Sequence, residues 1–368
     1  MSVTQLVLGI VVSFVLSIFL VPLVIRLGLR FKLLDLPGRH KRHKTPTPIL
    51  GGVALFFTMW ITVGLALLIF PNAYQELSPS IVFIFAGALV ILLVGLADDL
   101  SPLSAWVKLA AQAAAGLLLF LGELNVELIS TPYGSLDIGP FSVLITVLWV
   151  IVLTNAINLI DGLDGLASGV SLIGALVLLV IGELLQVGPV LIFVSALVGF
   201  LALFLYFNQY PAKIFLGDSG SMQIGYYFAV FSLIFPVKSY TFSALYIPVL
   251  VLGVPILETI SSLVRRLVSG KNIMTADRRH LFHYLSLAGF SPRQVVSIFY
   301  SMAAVFGMFA LAMFFWNRLI VFGYLVFFMV VIFALFFILI LNISPRRRQN
   351  QSGGGTNGSL KKLRARLK

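Results

Sequence analysis

Residues 139–165 read GPFSVLITVLWVIVLTNAINLIDGLDG. From Pro140 to Ile157 the stretch is apolar for roughly the length of one membrane crossing, about 20 residues. Polar side chains then arrive at every third position: Asn155, Asn158, Asp161, Asp164. Three-residue spacing keeps successive side chains near one helix face. Gly162 and Gly165 open the backbone where a ligand approaches. Amides read a base or a sugar, and carboxylates take a metal or a ribose hydroxyl. The bland reading of the same residues is a network of hydrogen bonds between helices.

Similar apolar stretches fill the chain on both sides. Of 368 residues, 60% are hydrophobic and 10% charged, against about 25% charged in soluble domains. So few charges do not cover a water-facing surface. The expected fold is therefore an all-α polytopic integral membrane protein. Eleven spans are expected, near 4–25, 50–70, 79–97, 105–122, 140–157, 167–185, 189–207, 219–235, 242–264, 294–315 and 319–342. The first is too long for a signal-peptide core and shows no cleavage site, so it is read as a span. Residues 1–345 form the membrane domain, and 346–368 a flexible basic tail drawn to anionic lipid. The absence of cysteine excludes disulfides and thiolate metal sites.

Alternate loops then fall on opposite sides. One set holds 23 of the 25 Lys and Arg residues, leaving Lys238 and Arg318 to the other. Basic loops stay cytoplasmic, so the N-terminus is expected outside and the C-terminus inside. The net charge of +12 thus reflects topology and not nucleic acid. Asp35, Asp98, Asp99, Asp161, Asp164, Asp218 and Asp277 all belong to the inner set. Intramembrane or membrane-end carboxylates mark function, so a site is expected on the cytoplasmic face.

Four further motifs lie on that face. Asp98-Asp99 ends the third span, where paired carboxylates suit a cation or a proton acceptor, and Asp is also a turn former. Asn208 to Ser221 opens the eighth span, with Lys213 as a cation and Asp218 at a helix N-terminus, which is an ordinary cap and also an anion site. Asp277-Arg278-Arg279-His280 and His283 offer a clamp for a pyrophosphate. The first inner loop, Asp35 to Gly52, places His43 among Lys and Arg residues suited to a lipid phosphate, or serving topology alone.

With these motifs in this order, the chain resembles the polyprenyl-phosphate N-acetylhexosamine-1-phosphate transferases (the WecA/TagO group, related to MraY). The resemblance covers nearly all of residues 35–293. It implies transfer of GlcNAc 1-phosphate, or a related HexNAc 1-phosphate, from a UDP-sugar to undecaprenyl or another polyprenyl phosphate, releasing UMP. That is the first membrane step of a cell-envelope glycopolymer, teichoic acid or lipopolysaccharide, at the bacterial inner membrane. It implies Mg²⁺, with Mn²⁺ as a substitute, held by Asp218 and Asp98. Catalytic roles fall to Asp98, Asp99, Asp161 and His280. Substrate binding falls to Lys108, Asn155, Asn158, Asp164, Lys213, Asp277, Arg278, Arg279, His283 and His43. Membrane lipid and a second copy of the chain are the implied partners. Two positions depart from the family pattern: Phe282 replaces a histidine, and Glu258 replaces an aspartate. Phospho-MurNAc-pentapeptide transfer is the sibling alternative. An ion-coupled transporter is the alternative of another class, although its relay would want carboxylates spread through the membrane depth.

Overall fold

The computed structural model describes residues 3–36, 45–71, 78–131, 134–234, 246–268, 280–317, 320–336 and 338. Its helices are α1 (Val3–Phe31), α2 (Gly51–Ile69), α3 (Ser78–Leu100), α4 (Ala105–Leu121), α5 (Ser142–Ile160), α6 (Leu166–Leu184), α7 (Gly188–Asn208), α8 (Gly217–Ile234), α9 (Tyr246–Val251), α10 (Gly253–Val268), α11 (Leu281–Leu287) and α12 (Pro292–Phe315). An apolar helix also covers Ile320–Phe336. This is a helical, multi-pass membrane protein. Seven helices are long and apolar enough to cross a bilayer: α1, α2, α3, α5, α6, α7 and α12.

The described parts of all eleven expected stretches fall on helix, yet four differ from a simple apolar rod. α4 and Ile320–Phe336 are apolar but short. α8 is long but opens with Gly-Asp-Ser-Gly-Ser, which lowers its apolarity. Residues 242–264 were read as one span, and the described part breaks into α9 and α10 at Leu252. Gly253 and Pro255 follow the break in the first turn of α10, and proline cannot donate to the preceding turn. The turn around Gln186 does separate two helices, α6 and α7.

Two short antiparallel strand pairs add to the helical class. β1 (Leu34–Asp35) pairs with β2 (Thr47–Pro48), which closes the first loop onto itself. β3 (Leu128–Thr131) pairs with β4 (Gly134–Asp137) between α4 and α5.

The chain forms two compact units, Met1–Thr275 with Val296–Leu311, and Ala276–Val295 with Ala312–Lys368. In the first, α8 is the innermost helix, and every residue from Ser219 to Ser232 is buried. It packs on α2, α3 and α5. Glycines let the backbones approach. A Cβ on Gly52 would meet Ser219 and Gly220, one on Gly95 would strike the backbone of Ser219, and one on Gly225 would strike Leu153 and Thr154. Small residues at crossings are how membrane helices gain packing when lipid gives no hydrophobic drive. In the second unit, Ser291 caps α12 through a reciprocal pair with Gln294, the hydroxyl accepting from the Gln294 N–H at 3.4 Å and the Ser291 N–H donating to Gln294 Oε1 at 2.9 Å. Pro292 fills the first helical position, where its missing N–H costs nothing.

Candidate active site at the N-terminus of α8

The free N–H groups of a helix start need acceptors. At α8 they find Asp99, the penultimate residue of α3. The N–H of Asp218 donates to Asp99 Oδ1 at 2.7 Å, and the N–H and hydroxyl of Ser219 donate to Oδ2 at 3.1 and 2.7 Å. Gly217 makes this geometry accessible. Its φ is +70°, and a Cβ there would sit 2.5 Å from Asp99 Oδ2. Gly51 and Gly52 fix the approach to α8 from the other side, donating to the carbonyls of Phe215 and Leu216, both at 3.1 Å. The Phe215 N–H donates in turn to Pro48 in β2 at 2.8 Å.

Asp98 turns to a different task. Its Oδ1 accepts from the Leu103 N–H at 2.7 Å, which folds the turn between α3 and α4 back on itself. Its Oδ2 lies 3.1 Å from the Lys108 ammonium, and that ammonium lies 2.9 Å from Asp218 Oδ2. One cation thus bridges carboxylates from α3 and α8. All three side chains are only partly exposed, at 13%, 26% and 29% for Asp98, Lys108 and Asp218. Partial burial limits screening by water, so such a pair is stronger than a surface one.

The end of α5 supplies the third wall. Asn158 donates to Ser221 Oγ at 3.0 Å, and Ser221 donates to the Gly217 carbonyl at 2.9 Å. Asn155 donates to Gln112 Oε1 at 2.7 Å and to the Ile151 carbonyl at 2.8 Å. Asp161 ends the helix. Burial pushes its carboxyl up to about 8, helped by the negative charges of Asp218, Asp99 and Asp164 in that order. Asp164 Oδ2 accepts from the Ala212 N–H at 3.0 Å, tying this loop to the one before α8. The bland reading, a network of hydrogen bonds between helices, describes the contacts of Asn155 and Asn158 here, and it serves to fix the site's frame.

Sequence reading passed over three members of that frame. Gln112 lies four residues past Lys108 in an apolar helix, and that spacing on one face was the available signal. Asn208 is buried and accepts from the Gly165 N–H and the Ser168 hydroxyl at 3.2 and 2.6 Å while donating to the Ile214 carbonyl at 2.9 Å. Ser219 adds its hydroxyl to the Asp99 cap.

Other expected residues are placed elsewhere. Lys213 is exposed, with its ammonium 5.8 and 6.0 Å from the ring centres of Tyr206 and Phe207. That cation–π geometry sets it on the loop surface and not between the carboxylates. His280 and His283 belong to the second unit, around the start of α11. Phe282 is buried there, stacked on His280 at 5.4 Å and against His283 at 4.3 Å. Phe282 is thus the buried, apolar member of this aromatic group. His43, Asp277, Arg278 and Arg279 lie outside the described residues.

The donor set fits a hard divalent cation in part. The Oδ2 atoms of Asp98 and Asp218 converge on the Lys108 ammonium, so a cation already stands between them, and carboxylates of this kind are the donors Mg²⁺ takes, one or two with phosphate oxygens and water. Among the described residues no three His, Cys, Asp or Glu close a protein-only cage. An ion at these two carboxylates would complete its shell with phosphate or water.

These features coincide with known proteins. Residues 81–236, which carry the α3, α5 and α8 ends, match glycosyl transferase family 4. A Bacillus subtilis (strain 168) protein named probable undecaprenyl-phosphate N-acetylglucosaminyl 1-phosphate transferase is 33% identical over 315 residues, 84% of this chain and 85% of the relative. Decaprenyl-phosphate N-acetylglucosaminephosphotransferase of Mycobacterium tuberculosis (strain CDC 1551 / Oshkosh) is 32% identical over 309 residues, 76% of each chain. Undecaprenyl-phosphate alpha-N-acetylglucosaminyl 1-phosphate transferase of Escherichia coli (strain K12) is 28% identical over 270 residues, 71% of each chain. With likeness running along most of both chains, and the matched segment containing the carboxylate cluster, this protein belongs to glycosyl transferase family 4.

Proposed function

We propose that the protein transfers N-acetylglucosamine 1-phosphate from UDP-GlcNAc to undecaprenyl phosphate, or a similar polyprenyl phosphate, and releases UMP. The reaction takes place at the cytoplasmic face of the bacterial inner membrane and depends on Mg²⁺, with Mn²⁺ as a substitute. The observation that carries this reading is the Asp98–Lys108–Asp218 junction at the meeting of three helix ends. It stands in a chain whose relatives are named for this transfer. Those names also favour it over phospho-MurNAc-pentapeptide transfer and over ion transport.

In the transfer, an acceptor phosphate oxygen forms a bond to the sugar-bearing phosphorus of the donor. The bond from that phosphorus to the bridging oxygen breaks, and its electron pair leaves with UMP. Both substrates are anions, so their approach costs electrostatic work. The Lys108 ammonium lowers it by direct attraction. A divalent ion at Asp98 and Asp218 would supply further charge neutralisation on the leaving phosphate. Asp99 orients Asp218 by capping α8, and Asn158 does so from α5 through Ser221 and Gly217. Asp161, whose carboxyl is raised by burial, lines the cleft and is proposed to help hold the nucleotide. Asn155, Asp164, His280 and His283, with the Asp277–Arg279 run and His43, remain proposed substrate contacts.

The test is to incubate the purified protein with Mg²⁺, polyprenyl phosphate and UDP-GlcNAc, and to measure UMP and the lipid product. UDP-MurNAc-pentapeptide is the comparison donor. UMP release with UDP-GlcNAc, lost on chelation and in Asp218→Asn, is the expected result. Normal turnover by Asp218→Asn would overturn the reading.

A further inference from the structure

The loop that carries Asp161 and Asp164 is held from a distant part of the chain. Tyr300, on α12, donates its hydroxyl to the Gly165 carbonyl at 2.6 Å. Gly165 has φ +79° and caps α6, and its N–H donates to Asn208. One residue is therefore held through its N–H by α7 and through its carbonyl by α12. The Tyr300 ring lies over Gly169, one turn further along α6. A Cβ on Gly169 would collide with the ring and the hydroxyl. α12 is pinned again beyond Tyr300, where Gly307 meets Val177 of α6 and Phe306 meets Gly253 of α10.

Packing alone asks for a ring at position 300, and phenylalanine would supply it. The hydroxyl adds a third bond to the Gly165 carbonyl, where the loop enters α6, beside those from the Gly169 N–H at 2.9 Å and the Ser168 hydroxyl at 3.2 Å. That loop carries two of the site's carboxylates and has glycine at both Gly162 and Gly165, where the backbone is least restrained. We propose that Tyr300 is a positioning residue for the transfer, holding the Asp161–Gly165 loop in register with the Asp218 end of α8. The inference rests on the transfer reading above. Misplacing a reacting group by about 1 Å costs as much as 10²-fold in rate, so the loss of one tether has a visible kinetic effect.

The test uses full-length Tyr300→Phe beside the parent protein. Expected is a fall in kcat of about tenfold, equivalent to 1.36 kcal/mol of barrier. KM for polyprenyl phosphate and the thermal midpoint stay at the parent's values. Hydrogen exchange at residues 161–165 becomes faster, while exchange at residues 217–219 is unchanged. Gly169→Ala, which displaces the ring, reproduces the loss of kcat. The inference is overturned if Tyr300→Phe keeps both parental kcat and parental exchange. It is equally overturned if kcat falls only in step with the thermal midpoint. A parent protein that releases no UMP would refute the transfer reading instead, and the exchange measurement would still decide whether the tether exists.

Discussion

Asp98 and Asp99 are neighbours in the chain and face opposite duties. Asp99 spends both oxygens on the start of α8, whereas Asp98 shares the Lys108 ammonium with Asp218. Loss of a helix cap costs about 0.5–2 kcal/mol. Asp99→Asn is therefore expected to lower the thermal midpoint, and Asp98→Asn to lower UMP release by more than its own fall in midpoint accounts for. Parallel melting curves and turnover assays check the pair. Asp161 gives a pH prediction. Its carboxyl is raised from 3.8 to about 8, so between those values the folded chain holds a proton that the unfolded chain has released. The stability tied to this group is complete below the unfolded value and is lost as pH rises towards 8. In metal-free buffer, Asp161→Asn should flatten the fall of the thermal midpoint between about pH 5 and 8, and should be the more stable protein at the upper end. The types of these residues were legible in the sequence. The division of labour between two adjacent aspartates was not, because it depends on which helix start each side chain meets.

At the scale of elements, α8 shows where hydrophobic patterning stops being informative. Its apolar run is short of a clear span, since Asp218, Ser219, Ser221 and Gln223 occupy one end. Those polar groups are tolerated because other helices receive them: Gln223 donates to the carbonyls of Gly52 and Ser219 at 3.0 and 2.8 Å. Gly95→Ala tests the crossing. Its Cβ would press on the backbone of Ser219, which cannot rotate away. A cost of about 1–3 kcal/mol is expected, as for other overpacked contacts, together with reduced UMP release. The break between α9 and α10 was signalled by Gly253 and Pro255 but masked by the apolarity around them. The β3–β4 hairpin carried no comparable signal, being short and paired through its backbone.

For the whole molecule, sidedness is open to direct measurement. The chain has no cysteine, so a single introduced one reports its own side. Gln186→Cys, in the exposed turn between α6 and α7, should react with a membrane-impermeant maleimide on intact cells. Gln209→Cys, exposed just past α7 on the site side, should react only after permeabilisation. The opposite pattern would invert the orientation drawn from the basic loops. What the sequence by itself determined was the class of molecule, a helical membrane protein, and the set of polar residues gathered at its helix ends. Apolar length and charge asymmetry are local, additive properties, and they survive without knowledge of packing. Only the tertiary structure decided which groups meet. Lys108 and Asp218 are 110 residues apart, Tyr300 and Gly165 are 135 apart, and each pair meets through a side chain that reaches across to another element. Contact across such separations depends on crossing geometry, which no local pattern encodes.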